Sequence, residues 1–225
     1  MLEKLQMKTI RTTFTRIVTC DHLQSCRASF PGLSRDYTPQ PGFVGSRYAD
    51  HRVVLLAQNP GHASQAGHVP GETEMYRRLA AAAASSSKPD FDAAVTQLGQ
   101  FMSTWPVIQR LKLRERFNLD LQDVAYFNLL KCKTVANKKP TLQLYETCAH
   151  QTSVPQLEAL VPRFVLCLGK GVYDAAQKYL TKLQVSSEWI YHPSGQHYFP
   201  DEQKERVAAA AVHMRRVLGS GGPSA

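Results

Sequence analysis

Four short apolar runs along the chain are rich in β-branched and aromatic residues, and each is followed by polar residues, glycine or proline. The segments that contain them are VVLLAQNPG at 53–61, VAYFNLL at 124–130, RFVLCLGKG at 163–171 and VSSEWIYHPSG at 185–195. Runs of this length and composition are typical of the buried strands of a parallel sheet. We therefore predict four central strands, each leading into a turn or loop.

Segments with helical composition lie between and after these runs. They are ETEMYRRLAAAAA, the stretch from about 91 to 117 with an interruption at Pro106, TLQLYETCAH, VYDAAQKYLTKL and DEQKERVAAAAVHMRRVL. Pro140 and Thr141 mark the start of the third of these helices, because threonine is a common N-cap. Strands that alternate with helices predict a three-layer α/β/α sandwich around a four-stranded parallel sheet. We expect a single domain over 1–218 and a flexible tail over 219–225.

Polar residues that could bind a ligand or take part in catalysis lie at the predicted strand ends. In open α/β sheets, ligands bind beyond the carboxyl ends of the strands. The residues at these positions are Gln58-Asn59-Pro60-Gly61, Asn128 with Lys131-Cys132-Lys133, Gly169-Lys170-Gly171 and His192-Pro193-Ser194-Gly195. The pattern therefore places a candidate site at one edge of the sheet.

The composition is that of a globular chain with an excess of positive charge. Hydrophobic residues make up 43% of the 225 residues and charged residues 20%. No apolar run reaches the roughly 18 residues of a membrane span, so we expect no membrane association. Lys and Arg outnumber Asp and Glu by 27 to 18, which gives a formal net charge of +9. This balance favours an anionic partner such as nucleic acid, although a solvated basic surface has the same composition.

The first twenty residues, MLEKLQMKTIRTTFTRIVTC, are basic and threonine-rich, as a mitochondrial presequence would be. Apolar residues at near-helical spacing favour a structural helix instead. Because a secretory apolar segment is lacking, we expect a reducing cytoplasmic setting. Cysteines there are more often metal ligands or core residues than disulfide partners. The chain has five: Cys20, Cys26, Cys132, Cys148 and Cys167.

The ordered set of motifs resembles the uracil-DNA glycosylase superfamily. AQNPG resembles the family's first motif and HPSG its second, while NLLKCKTVANKKPTLQLYETC and LVPRFVLCLGKGV are most similar to the iron–sulfur branch, family four. Two features depart from that branch. Gln58 and Asn59 stand where it has Glu and Ala, and the resulting Asn-Pro-Gly is similar to the mismatch-specific and single-strand-selective branches. Five residues separate Cys20 from Cys26, where the branch has Cys-x-x-Cys.

The resemblance implies that four cysteines hold a [4Fe–4S] cluster, which requires four thiolate ligands. They would be Cys20, Cys26, Cys132 and Cys148. A structural zinc ion is the intermediate alternative, and small buried cysteines that fill a core are the other. The core interpretation suits Cys167, which lies inside FVLCLG, better than Cys132, which lies between two lysines.

The resemblance also implies the catalytic roles of Asn59 and His192. Asn59 would position a water molecule, and His192 would donate a hydrogen bond to O2 of uracil as negative charge gathers on the leaving base. The alternatives are ordinary turn chemistry for an asparagine before Pro-Gly, and a histidine that only completes a strand end.

Asn128 would read the flipped base, because its amide can accept from N3–H and donate to O4 of uracil. A residue that caps a neighbouring helix is the alternative. Gly61 stands where a well-known branch has a tyrosine that blocks the thymine methyl. His68 or Tyr76 would replace the stacking aromatic of the branch, since Pro70 is followed here by glycine. The predicted substrate-binding set is Gln58, Gly61, His68, Asn128 and Ser194.

Contacts to DNA are expected at two places. A glycine turn that opens a helix attracts phosphate, although it can also be an ordinary connection. The resemblance implies that the loop GQHYFPDE enters the duplex with aromatic wedge residues, unless these only pack on the last helix. The predicted DNA-binding residues are Ser64, Gly169, Lys170, His197, Tyr198 and Phe199.

These expectations combine into one leading hypothesis: a monomeric DNA glycosylase that flips and hydrolyses uracil out of DNA and leaves an abasic site. Two alternatives stay open. One is a glycosylase for another base, such as hypoxanthine, xanthine or mismatched thymine. The other is an iron–sulfur protein that binds DNA without catalysis. The partner in every case is DNA, with a damaged base if the protein is an enzyme.

Overall fold

The computed structural model describes residues 2–33, 39–60, 72–85, 87–135, 138–193 and 200–219. Its α-helices are α1 (Leu2–Val18), α2 (Leu23–Ser29), α3 (Tyr48–His51), α4 (Glu72–Ala84), α5 (Lys88–Ser103), α6 (Pro106–Leu111), α7 (Leu113–Phe117), α8 (Leu142–Cys148), α9 (Val154–Leu160), α10 (Lys170–Lys182) and α11 (Pro200–Gly219). The strands are β1 (Phe43–Val44), β2 (Val53–Ala57), β3 (Val124–Asn128), β4 (Phe164–Leu168) and β5 (Ser186–Ile190). All four predicted strands are therefore present as β2 to β5.

The sheet has five strands in the order β1-β3-β2-β4-β5, so the predicted count of four is wrong. β2, β4 and β5 are parallel, with Val53 opposite Phe164 and Phe164 opposite Ser186. The additional strand, β1, is antiparallel to β3. It is only two residues long, too short to be recognised by its hydrophobic pattern.

A close approach of backbones after β1 requires glycine. The Gly45 N–H donates to the Val124 carbonyl at 2.9 Å. A Cβ atom at Gly45 would lie 2.2 Å from the backbone oxygen of Gln122, a distance that no side chain tolerates. The absence of a side chain therefore lets this short edge strand pair with the sheet.

The chain divides into two compact units, and each draws on three separate segments. The first unit contains Met1–Gly42, Gln58–Leu98 and Phe127–Leu160, and the second contains Phe43–Ala57, Gly99–Tyr126 and Val161–Ala225. The expectation of one domain over 1–218 stays a prediction. The last helix continues to Gly219, and the rest of the predicted tail lies outside the described residues.

Helix α1 is an integral part of the first unit. Ile10, Phe14 and Ile17 lie on one face of the helix and are almost completely buried. The ring of Phe14 packs against that of Phe91 with 6.0 Å between centroids. A helix that buries three large apolar side chains on one face gains its stability from packing, as its spacing predicted.

The second unit contains β1, β2, β4, β5 and the first three residues of β3, and strands β2, β3 and β4 are buried along their whole length. Strands that are covered on both faces are apolar throughout rather than alternating, which is the pattern seen in the sequence. Arg163 precedes β4 and donates from Nη2 to the carbonyls of Val217 and Leu218, each at 2.7 Å. These are terminal carbonyls of α11, which lack partners within the helix.

Helix α8 begins where the sequence predicts. Thr141 is its N-cap, and the Thr141 hydroxyl accepts from the Leu144 N–H at 3.2 Å. The helix carries Cys148 as its last residue and leads into a π-helical turn over Ala149–Ser153. None of the helices in the described part of the chain has the length and apolar character that crossing a membrane requires.

Candidate active site and candidate metal centre

Gln58 and Asn59 follow β2 and are half-buried. The Gln58 carbonyl accepts from the Leu130 N–H at 2.9 Å, which joins the end of β2 to the segment after β3 within the first unit. Asn59 Nδ2 donates to the Pro60 carbonyl at 3.2 Å and to Thr134 Oγ1 at 3.3 Å. The amide of Asn59 is therefore held through its nitrogen, and its oxygen is the atom that can serve a ligand.

Asn128 is the last residue of β3, and only 3% of its surface is exposed. Its Oδ1 atom is buried and has no hydrogen-bond partner among the described residues. A buried acceptor without a partner costs on the order of 1–3 kcal/mol, so such atoms are rare in folded proteins. Asn128 is therefore a candidate for contact with a ligand that supplies the missing donor.

Gly169, Lys170 and His192 belong to the second unit. Gly169 has a φ of 120° and precedes α10, so glycine is required at this turn. The ammonium group of Lys170 is exposed and pairs with Asp174 at 2.7 Å, one turn along the helix. His192 follows β5 and is half-buried, and burial lowers its pKa. Its imidazole is consequently neutral at pH 7, and one of its two ring nitrogens carries a hydrogen.

Four cysteines line one pocket in the first unit, with an empty volume of about 360 Å³ that includes the part open to solvent. They are Cys20, Cys26, Cys132 and Cys148. Burial raises the pKa of Cys20, Cys26 and Cys132, and electrostatic repulsion from the neighbouring Cys148 contributes to the rise in each case. Each of these thiols, when ionised, disfavours ionisation of its neighbours, as expected for sulfur atoms that lie close together. A bound cation would instead favour the ionised form of each thiol.

The surroundings of Cys148 suit a metal-bound thiolate. The Lys131 N–H donates to Cys148 Sγ at 3.3 Å, whereas the Thr152 hydroxyl, 3.4 Å from the same sulfur, donates its hydrogen to the Cys148 carbonyl at 2.6 Å. Hydrogen bonds to sulfur tune the thiolate ligands of iron–sulfur clusters. Within the described ranges, no group of three or more His, Cys, Asp or Glu residues is close enough together to hold a metal ion. Four thiols around one wide pocket nevertheless form the donor set that a [4Fe–4S] cluster needs, so the residues fit this group.

Lys131 is a strand-end residue that received no specific role from the sequence. Its side chain is almost completely buried, with Nζ 2.5 Å from Gln156 Oε1 and 4.0 Å from the centroid of the Phe127 ring. Burial lowers its pKa to about 7, and the nearby Cys148 opposes this shift. A lysine that ends an apolar run and precedes a cysteine was the signal that could have identified it.

Several predicted site residues lie outside the described residues. They are Gly61, Ser64, His68, Ser194, His197, Tyr198 and Phe199. Tyr76, the alternative to His68, lies on α4 and is 1% exposed. Cys167 is fully buried in β4, where burial raises its pKa to about 12, so it remains a thiol at neutral pH as a core residue does.

The structure brings two groups of predicted residues into the first unit. Gln58, Asn59 and Asn128 form one group, and the four cysteines form the other. The Asn59–Thr134 contact connects the groups, because Thr134 is two residues from Cys132. That Asn59 and His192 act on the same substrate stays a prediction.

A mostly parallel sheet combined with many helices defines an α/β protein, a class in which ligands bind beyond the carboxyl ends of the strands. Residues 45–214 match the model of the Uracil DNA glycosylase superfamily. Because this segment makes up most of the chain, the chain belongs to that superfamily. A search of the curated proteins finds no match.

Membership of the superfamily supports a DNA glycosylase, an enzyme of base excision repair that binds damaged DNA. The matched segment includes Asn59, Asn128 and His192, together with Cys132 and Cys148. Cys20 and Cys26 precede it. Membership of the superfamily therefore specifies neither the base that is removed nor the cofactor.

Proposed function

We propose that the protein excises uracil from DNA by hydrolysis of the N-glycosidic bond and leaves an abasic site. The observation that carries this proposal is the buried Oδ1 atom of Asn128, which has no partner among the described residues. Uracil presents a donor at N3 and an acceptor at O4. The Asn128 amide matches both, since Oδ1 accepts from N3–H and Nδ2 donates to O4.

The same amide disfavours cytosine. Cytosine has an acceptor at N3 and an amino donor at C4, so each atom would face a group of its own kind. Buried polar groups that are left unpaired cost on the order of 1–3 kcal/mol each, which is enough for strong discrimination. This argument explains how a uracil glycosylase would leave normal cytosine in place.

Asn59 positions the water molecule that attacks the sugar. The bond between the base and C1′ breaks with oxocarbenium character, so the water needs orientation more than deprotonation. With Nδ2 engaged by Pro60 and Thr134, the Oδ1 atom accepts a hydrogen bond from that water. The water oxygen bonds to C1′, the electrons of the broken bond go to the base, and the water's proton is released to balance the charge.

His192 stabilises the departing base. Burial lowers the pKa of its imidazole, which keeps the ring neutral and able to donate one N–H to O2 of uracil. A donor that is preorganised toward developing negative charge contributes a few kcal/mol in a dry site. This contribution comes in the transition state and therefore affects the rate more than the binding.

We further propose that Cys20, Cys26, Cys132 and Cys148 hold a [4Fe–4S] cluster. The support is the donor set: four thiols around one pocket, with the Lys131 N–H donating to Cys148 Sγ. The bound cluster would supply a structural cross-link between the N-terminal segment and the loop after β3. The catalytic steps above are carried by side chains of the protein alone.

Purified protein should be tested against duplex and single-stranded oligonucleotides that each carry one uracil, mismatched thymine, hypoxanthine or xanthine, with alkaline cleavage as the readout. We expect cleavage at uracil, fastest in single strands or mismatches, where extrusion of the base costs least. Cleavage only at hypoxanthine or xanthine would show that the substrate is a deaminated purine and not uracil. DNA binding without cleavage of any substrate would contradict the enzymatic proposal.

A further inference from the structure

Thr134 places a buried hydroxyl against the proposed catalytic amide. The residue is completely buried, and Thr134 Oγ1 accepts from Asn59 Nδ2 at 3.3 Å. Thr134 follows Cys132 by two positions, and its backbone forms an isolated antiparallel bridge with Leu33. The loop that carries a candidate metal ligand thus makes direct contact with Asn59.

The orientation of the Asn59 amide follows from its two acceptors. The Pro60 carbonyl can only accept, and it lies 3.2 Å from Nδ2. If the amide were turned over, Oδ1 would face that carbonyl, and two acceptors would repel each other. Thr134 takes the second hydrogen of the same nitrogen, so both N–H groups are used and Oδ1 is directed away from both partners.

Leu33 anchors Thr134 to the wall of the four-cysteine pocket. Leu33 is 3% exposed and packs in a small apolar cluster with Leu130, Leu144 and Cys148. The bridge between Leu33 and Thr134 therefore ties the backbone of Thr134 to this buried cluster. A residue held in this way can define the position of a neighbouring side chain within a few tenths of an ångström.

We propose that Thr134 is a positioning residue for catalysis: its hydroxyl holds the Asn59 amide so that Oδ1 faces the attacking water. The inference rests on the proposed role of Asn59 and adds a specific residue to it. Its consequence is that the loop after Cys132 sets the geometry of the water-binding group. Loss of the Thr134 hydroxyl should lower the rate of excision without lowering affinity for DNA.

The test compares Thr134→Val, which removes only the hydroxyl, with Thr134→Ser, which retains it. We expect Thr134→Val to lower the single-turnover excision rate roughly three- to tenfold, the value of one neutral hydrogen bond. Thr134→Ser should restore most of the rate. Thr13→Val is the matched control, because the Thr13 hydroxyl donates to the Thr9 carbonyl within α1 and its removal should leave the rate unchanged.

Two further readouts separate positioning from a general structural effect. DNA affinity, measured by fluorescence anisotropy, and the visible absorbance of the purified protein should be the same for Thr134→Val and the wild type. In an Asn59→Ala background, Thr134→Val should have no additional effect on the residual rate, because its target is absent. If Thr134→Val disturbs folding, the comparison is made between Thr134→Ser and Thr134→Ala. We expect Thr134→Ser to excise the base faster than Thr134→Ala.

An unchanged excision rate in Thr134→Val would overturn the inference. So would an equally large loss of rate when Thr134→Val is added to Asn59→Ala. In both cases the proposed function stands as long as the wild-type protein excises the base. The same holds if Thr13→Val and Thr134→Val slow excision equally. A wild-type protein that excises no base from any substrate would overturn the proposed function, and the inference with it.

Discussion

At the level of single residues, Asn128 connects buried structure to the choice of base. Its Oδ1 atom is buried without a partner among the described residues, and a missing partner is costly at a buried position. We predict that Asn128→Asp weakens excision of uracil and admits cytosine. Burial raises the pKa of a carboxyl group, and the protonated form can donate to N3 of cytosine while its other oxygen accepts from the amino group.

The measurement is alkaline cleavage of oligonucleotides that carry one uracil or one target cytosine in a mismatch. Asn118→Asp makes the same chemical change at an exposed position and should keep the wild-type preference for uracil. If Asn128→Asp retains full uracil activity and ignores cytosine, Asn128 does not read this edge of the base.

A second residue-scale prediction concerns the pH dependence of stability. Burial opposes the ionisation of Asp123, but hydrogen bonds from Arg47 and from the Asp120 N–H, each at 2.7 Å, outweigh it and lower the pKa below 3.8. A carboxyl group whose pKa is lower in the folded than in the unfolded protein stabilises the fold at pH values above its unfolded pKa. This stabilisation is lost as the pH falls through its folded pKa. Asp123→Asn should therefore lower the free energy of unfolding by about 1–3 kcal/mol at pH 7.

Urea unfolding at pH 7 and at successively lower values tests this prediction. The difference between Asp123→Asn and wild type should shrink below pH 3.8, where wild-type Asp123 also loses its charge. Asp120→Asn is the control, because its side chain is 47% exposed and its ion pairs are worth at most about 1 kcal/mol. A difference that stays constant with pH would show that packing, not charge, is what the substitution removes.

At the level of elements, the loop after β3 and helix α8 supply two of the four cysteines of the candidate metal centre. We predict that purified protein is yellow-brown with about four irons per chain. Cys132→Ser or Cys148→Ser should lose the colour and lower the melting temperature, because metal binding and folding are coupled. The measurements are visible absorbance, metal analysis and thermal unfolding.

Cys167→Ala provides the matched control for this prediction. Cys167 is fully buried in β4 in the second unit, so its loss should cost about 1 kcal/mol of packing and leave iron content unchanged. If the wild-type protein is colourless and contains one zinc per chain, the cysteines bind a single zinc ion and not a [4Fe–4S] cluster. Equal loss of iron in Cys167→Ala and Cys132→Ser would contradict the assignment of the ligands.

At the level of the whole molecule, the net charge of +9 favours association with the phosphate backbone of DNA. We predict that affinity for DNA falls linearly on a log–log plot against salt concentration, with a slope of about −0.9 for each phosphate contacted in duplex DNA. Anisotropy titrations from low to high salt measure this slope. At saturating enzyme the excision rate should change little, because excision follows binding, whereas a salt-independent affinity would contradict an electrostatic interface.

The elements of the fold were largely predictable because their signals are local. The four long strands, the start of α8 at Thr141 and the apolar face of α1 follow from hydrophobic spacing and capping chemistry. β1 was missed because two residues carry no periodicity, and its pairing depends on Gly45 fitting against Gln122. The division of the chain into two units of interleaved segments also depends on contacts that are distant in sequence.

The same distinction separates what sequence and tertiary structure each decided about the candidate site. The sequence by itself determined which residue types follow the strands, the excess of positive charge, and the ordered motifs that resemble the superfamily, because these are properties of local composition and order. Only the tertiary structure decided that Asn128 Oδ1 is buried without a described partner, that four cysteines share one pocket and that Thr134 holds the Asn59 amide. Burial and hydrogen-bond partners arise when segments far apart in the chain pack together, and residue spacing does not encode those distances.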